Sequence, residues 1–265
     1  MELEEKIRFA MGTIQPMAEH TYPFVRGVVG VEDAQNGKLF GSGFTCELDD
    51  RRLIVTAKHV IDEILADGRK PAFSAGYGVP PRLADPKDIL VDETCDLAFY
   101  PVPPGYLHHA ANSVSFWPAE RIDTSWERLS HDFLIVHGFP GRRAYSSAQL
   151  GGIVAKSLPY GAMRRLEDLP EEIKPFQFAI HFEPASMRLE THEDSKEPID
   201  PHGLSGCPVF RIGASGRSVD DWTPQSSLLV GMVTRWDHDS GVLIAVHAEK
   251  ILESTVSLQL AGHTP

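Results

Sequence analysis

The apolar residues of this chain come in short runs, each closed by a turn, and this constrains the fold more than any other feature. Residues 28–31, 38–48, 53–56, 89–91, 97–102, 133–137, 152–156, 176–182 and 228–235 read as strands. Asp49-Asp50-Arg51-Arg52 separates two of them. Asp237-His238-Asp239-Ser240-Gly241 leads from residues 228–235 into 242–246, which makes that pair a hairpin. The 22 glycines and 20 prolines are spread along the chain, which favours many short elements joined by turns over a few long helices. Helical spacing is confined to the ends, at residues 2–11 and at 247–258 through Ile251, Leu252 and Val256. The pattern predicts an all-β protein, a sandwich or barrel, with a short helix at each end.

Composition narrows the function. A formal net charge of -12 makes nucleic acid a poor partner, because an acidic surface repels phosphates. The dibasic pairs Arg142-Arg143 and Arg164-Arg165 read as solvated loop charges. No apolar run approaches the ~18 residues of a spanning helix. The first residues, Met1-Glu2-Leu3-Glu4-Glu5-Lys6, lack the basic and apolar regions of a secretory leader. Three cysteines, Cys46, Cys95 and Cys207, are too few and too odd in number for a disulfide framework. These features together predict a cytoplasmic protein. Twelve histidines show no metal-ligand spacing, and no nucleotide or dinucleotide fingerprint is present, so no metal and no cofactor is expected.

Three motifs carry the chemistry. Thr56-Ala57-Lys58-His59-Val60 follows an apolar strand, Asp96-Leu97-Ala98-Phe99 opens another, and Gly203-Leu204-Ser205-Gly206-Cys207-Pro208-Val209 leads into a third. In this order the chain resembles the trypsin-like, chymotrypsin-fold serine proteases, in particular bacterial members without a signal peptide. Gly41-Ser42-Gly43-Phe44 with Leu53-Ile54-Val55-Thr56 resembles the hairpin that delivers their histidine. Val136-His137-Gly138-Phe139-Pro140-Gly141 and Val230-Gly231-Met232-Val233-Thr234 resemble strands of their second barrel, so the likeness spans roughly residues 27–250. It implies two antiparallel β-barrels, residues 1–110 and 111–265, with residues 1–20 a leading arm. It implies a catalytic triad of His59, Asp96 and Ser205, and an oxyanion hole from the backbone N–H groups of Gly203 and Ser205. The chemistry explains the residue types, since a serine hydroxyl needs an adjacent base and the base needs an orienting acid. Asp62 and Asp92 are rivals to Asp96. Asp62 lies too near His59 in sequence, and Asp92 lacks the Leu-Ala that follows Asp96.

Departures from the family pattern shape the remaining expectations. Leu204 stands where zymogen-activated relatives carry an aspartate, so Arg26-Gly27-Val28-Val29-Gly30 reads as a strand and no cleavage after Arg26 is required. Cys207 stands where the family has glycine. It reads as a small, partly buried residue, with a redox-sensitive thiol as the sharper alternative. By resemblance, Ile199, Thr234, Arg235 and Trp236 wall the substrate pocket, and Ile199 argues against a basic side chain at the cleaved bond. The expected function is a serine endopeptidase acting on polypeptides and switched by a regulatory protein. The alternative is a catalytically silent binding or sensing module on the same fold. An α/β-hydrolase using Ser205 with Asp237 and His247 is the remaining rival, and Cys207 already breaks its Gly-x-Ser-x-Gly motif.

Overall fold

The short apolar runs become strands in the computed structural model, which describes residues 3–32, 37–74, 81–103, 105, 114–125, 133–141, 144–147, 152–155, 157–183, 201–213 and 222–261. The chain opens with helix α1 (Leu3–Thr21). Strands β1 (Val25–Val31), β2 (Gly37–Leu48) and β3 (Arg51–Ala57) follow, then helix α2 (Lys58–Ala66). Strands β4 (Lys70–Phe73), β5 (Arg82–Leu83), β6 (Leu90–Asp92), β7 (Leu97–Pro101) and β8 (Trp117–Pro118) complete the first sheet. Its order is β5-β4-β1-β2-β3-β7-β6, and every pair along that path is antiparallel. The β2–β3 loop is two residues long, and Asp49 and Asp50 both have positive φ, 47° and 60°, as a type I′ hairpin requires.

The second half holds β9 (Phe133–Gly138), a ribbon of β10 (Ala144–Ser147) and β11 (Gly152–Ala155), then β12 (Leu158–Arg165), β13 (Gln177–His181), β14 (Pro208–Arg211), β15 (Leu228–Asp237) and β16 (Val242–His247). Six of these close into a barrel in the order β12-β13-β16-β15-β14-β9, and helix α3 (Ala248–Ala261) ends the chain. The protein is therefore mostly β, with a half-barrel, a closed six-stranded barrel and a helix at each end. The first sheet stays open among the described residues, and the two halves together are consistent with the two-barrel fold expected from the sequence. A barrel of antiparallel strands also leaves no place for the parallel sheet of an α/β-hydrolase.

Both faces of several second-barrel strands are buried, which is why they read as continuous apolar runs rather than alternating ones. Leu134, Val136, Val209, Val230, Val233, Leu243 and Ala245 fill the barrel interior. Their neighbours Ile135, Phe210, Leu229, Met232 and Val246 join Phe44, Cys46, Val55 and Phe99 in the core against the first sheet. Trp117 pins this seam. It pairs with β2 beyond the end of β1, its ring lies 4.7 Å from that of Phe210, and the Arg121 guanidinium sits 4.2 Å above it.

The helices are longer than their local patterns. α1 continues through Gly12 and Pro16, both poor helix formers, because Phe9, Thr13 and Met17 are buried along one side. Gly161 of β12 clears space for it: a Cβ there would lie 3.2 Å from Ile14 and 2.5 Å from the ring of Phe133. Arg164-Arg165 lies in β12 and not in a loop, with Arg165 donating to the Ser240 carbonyl at 2.7 Å. Arg26 lies within β1, opposite Gly43, and is almost fully buried. Arg142-Arg143, His108-His109 and the boundary near residue 110 lie outside the described residues.

Candidate active site

β3 ends at Ala57 and the chain turns directly into α2, so His59 sits in the first helical turn, where backbone N–H groups have no partner within the helix. Ala57 offers no side-chain cap. Asp96 supplies it from outside: its carbonyl accepts from Lys58 N at 3.0 Å and its Oδ1 from His59 N at 2.9 Å. The other carboxylate oxygen lies 2.7 Å from His59 Nδ1. One carboxylate thus fixes both the backbone and the ring of His59. Asp96 itself has φ 56°, in the left-handed region that aspartate tolerates better than most residues. The turn preceding it is held by Asp92, whose Oδ1 accepts from the N–H groups of Thr94 and Cys95.

The rival carboxylates are committed elsewhere. Asp62 pairs with Lys58 at 2.7 Å, and Asp92 accepts from the hydroxyl of Ser254 on α3. The His59 imidazole has its pKa raised. Burial, the largest single influence, lowers it, but the hydrogen bond and charge of Asp96, with Glu63 and Asp62, outweigh it.

Ser205 lies in a tight turn of residues 201–207 that leads into β14. Leu204 N donates to Pro201 O at 2.9 Å and Cys207 N to Leu204 O at 3.0 Å. Gly203 and Gly206 have φ of 95° and 88°, which only glycine adopts without strain. A Cβ on Gly206 would sit 1.8 Å from Ser42 O, so the turn lies directly against β2. Ser42 N donates to Ser205 O at 2.8 Å. Gly41 connects the halves of the site: a Cβ there would meet Val60, next to His59, at 2.7 Å and Ser205 O at 3.0 Å. A side chain at Gly41 would thus meet both the start of α2, beside His59, and the Ser205 turn.

The peptide planes of the turn have a definite orientation. The His202 carbonyl accepts from Gly141 N at 2.6 Å, and the Leu204 carbonyl accepts from Cys207 N. In a trans peptide the N–H points opposite to the C=O. The N–H groups of Gly203 and Ser205 therefore point away from Gly141 and Cys207 respectively.

β15 runs past this turn, with Gly206 N donating to Val233 O at 2.7 Å and Val233 N to Cys207 O at 2.9 Å. Thr234, Arg235 and Trp236 follow at a β-bulge. Thr234 is buried and its hydroxyl donates to Ile244 O at 3.3 Å, so its side chain is engaged within the barrel. Arg235 and Trp236 are half-buried. The Trp236 ring stands edge-on to Phe182 and His238, and its Nε1 is buried with no hydrogen-bond partner among the described residues. Ile199 lies outside the described residues.

Cys207 is fully buried, not partly, and burial pushes its thiol up to about 12. A thiol in that state is a poor redox sensor. Cys46 and Cys95 are also buried and free. Three residues that hold the site were not assigned roles from sequence: Ser42, Gly138 and Gly141. The Gly41-Ser42-Gly43 run was the available signal for the first.

No family model matches the chain, and no curated protein matches it. Solved structures do. One is described by the words "Aromatic interactions drive the coupled folding and binding of the intrinsically disordered Sesbania mosaic virus VPg protein". It aligns over 85% of this chain and 87% of that one, at 13% identity and a TM-score of 0.44. A likeness at that level carries no chemistry across. The class that can be stated is architectural: a two-sheet β protein, one sheet a half-barrel and the other a closed barrel, with a histidine–carboxylate pair beside a glycine-flanked serine. Among the described residues no cluster of His, Cys, Asp and Glu is placed to hold a metal, and no helix is long and apolar enough to cross a membrane.

Proposed function

We propose that the protein is a serine endopeptidase. Ser205 is the nucleophile, His59 the general base and then the acid for the leaving amine, and Asp96 the group that fixes the His59 tautomer. The observation that carries this reading is the double hold of Asp96 on His59, at 2.9 Å to the backbone and 2.7 Å to the ring. The Gly203 and Ser205 N–H groups serve as the oxyanion donors, each worth roughly 10²–10³ in rate. The substrate is a polypeptide, taken along β15 beside Arg235 and Trp236, and turnover proceeds through an acyl-enzyme. Regulation by a partner protein and a reducing, cytoplasmic setting belong to the same reading; three free, buried cysteines suit that setting.

The test is labelling with a fluorophosphonate probe, mapped by mass spectrometry, with Ser205→Ala and His59→Ala as controls. Labelling at Ser205 that requires His59 is the expected result. A folded wild-type protein that does not label defeats the constitutive reading. A peptide library then defines the cleaved sequence.

A further inference from the structure

Ser42 is completely buried in β2 and far in sequence from the nucleophile turn, yet its hydroxyl is bonded to that turn. The O–H donates to the Gly203 carbonyl at 2.6 Å. One lone pair accepts from Phe139 N at 2.8 Å. The hydroxyl thus spends its one proton on the turn and accepts from the residue that follows β9. Its own backbone adds two more links, N–H to Ser205 O at 2.8 Å and carbonyl from Thr56 Oγ1 at 2.7 Å.

The Gly203–Leu204 peptide is the plane that joins the two donor-bearing peptides, His202–Gly203 and Leu204–Ser205. Its carbonyl is held by Ser42, and its N–H by Pro201 O on the opposite side. Fixing that plane restrains ψ of Gly203 and φ of Leu204, two of the four dihedrals that set the angle between the Gly203 and Ser205 N–H groups. Gly203 is the residue with most freedom to rotate, so this is the point in the turn where a restraint has most effect. We propose that Ser42 is a positioning residue for the oxyanion site: its hydroxyl aligns the two donors without touching substrate. The inference rests on the serine-protease reading above and deepens it.

Steady-state hydrolysis of p-nitrophenyl acetate and the second-order rate of fluorophosphonate labelling, both on the full chain, test it. Ser42→Ala is expected to lower kcat and the labelling rate by about 10²-fold, the low end of the loss of a whole donor. KM should change little, while the thermal midpoint falls, because the Gly203 carbonyl and the Phe139 N–H both lose a partner. Cys207→Ala, which leaves the bond to Gly203 intact, is expected to stay within threefold of wild type. Should Ser42→Ala fail to fold, Ser42→Cys keeps the volume and substitutes a weak donor, and it must show the same kind of loss. A folded Ser42 variant that labels within threefold of wild type overturns the proposal and leaves the protease reading standing. A wild-type protein that does not label overturns this proposal together with the constitutive protease reading.

Discussion

Replacing Asp96 by asparagine leaves the shape of the side chain alone and changes where one proton must sit. Oδ1 of Asp96 accepts from the backbone N–H of His59 at 2.9 Å, and Oδ2 faces Nδ1 of the ring at 2.7 Å. Asparagine can keep the first bond only with its carbonyl oxygen, so its NH₂ must face Nδ1. The ring nitrogen then becomes an acceptor and the imidazole proton moves to Nε2. A ring protonated at Nε2 has no lone pair there to receive the Ser205 proton. In Ser-His-Asp enzymes this exchange costs ~10⁴ in kcat, or about 5.5 kcal/mol on the barrier. The fold should lose little, because the lost charge at the start of α2 is worth ~0.3–1 kcal/mol.

The same variant moves the pH profile. In the wild type His59 must be deprotonated to act as base, and its pKa is raised, so kcat/KM rises with pH through a midpoint above 6.5. A pKa raised by folding contributes stability that is complete below the unfolded value and is lost as pH climbs through the folded one. Asp96→Asn removes the partner responsible, so its acid limb moves to lower pH, and its stability deficit shrinks as pH rises. Labelling kinetics read the rate, and ¹⁵N spectra of the ring read the tautomer without any need for activity. A variant that labels within tenfold of wild type, or whose ring keeps its proton on Nδ1, refutes the reasoning.

Two further predictions concern the strand that leads to the site. His137 is buried, and Thr21 Oγ1 lies 2.7 Å from its Nδ1. That hydroxyl spends its proton on Met17 O, so Nδ1 is the donor, and Nε2 is left buried with no partner among the described residues. Burial lowers its pKa to about 3, while an unfolded histidine titrates near 6.5. Stability therefore falls as pH drops from 6.5 toward 3, by up to ~1.4 kcal/mol per pH unit. Urea midpoints at pH 6 and pH 4.5 should show His137→Asn losing ~2 kcal/mol less than wild type over that interval; equal losses would mean that His137 protonates freely in the fold. Gly138→Ala would place a Cβ 1.7 Å from Cys207 Sγ, where carbon contacts want ~3.5 Å or more, so it should destabilise by about 3 kcal/mol. Adding Cys207→Gly should recover most of that in a double-mutant cycle, and additive losses would count against the packing described.

The readable parts of the fold were those whose cause is local. Asp49-Asp50 reads as a turn, and the Gly203 and Gly206 glycines read as a sharp one, because positive φ is a property of single residues. The strands at residues 53–56, 97–102 and 242–246 read correctly because their apolar runs are bounded by turns. Helix α2 was not foreseen: it lacks a capping residue of its own and takes its cap from Asp96, 37 residues away. Strand β12 was also not foreseen. Pro159, Gly161 and the two arginines weaken its pattern, and Gly161 is there to admit α1.

The ends of the chain make the same point on a larger scale. α1 precedes the first sheet in sequence, yet it lies along β12 and β9 of the second barrel and reaches His137 through Thr21. α3 follows the second barrel, yet it returns to β6 and β7, where Ser254 donates to Asp92 in the turn that presents Asp96. Each terminal helix thus reaches the half that it does not adjoin in sequence, α3 while also packing on β15 and β16. β9 runs from His137 into Gly138 and Phe139, and Phe139 N meets the Ser42 hydroxyl. Asp92, Thr94 and Cys95 shape the turn behind Asp96. Local patterning can announce the catalytic types, because glycine, serine and histidine carry their signals in adjacent residues. It cannot announce what Ser42 does between its flanking glycines, because its partner at Gly203 is 161 residues away and is brought to it only when the two sheets close on each other.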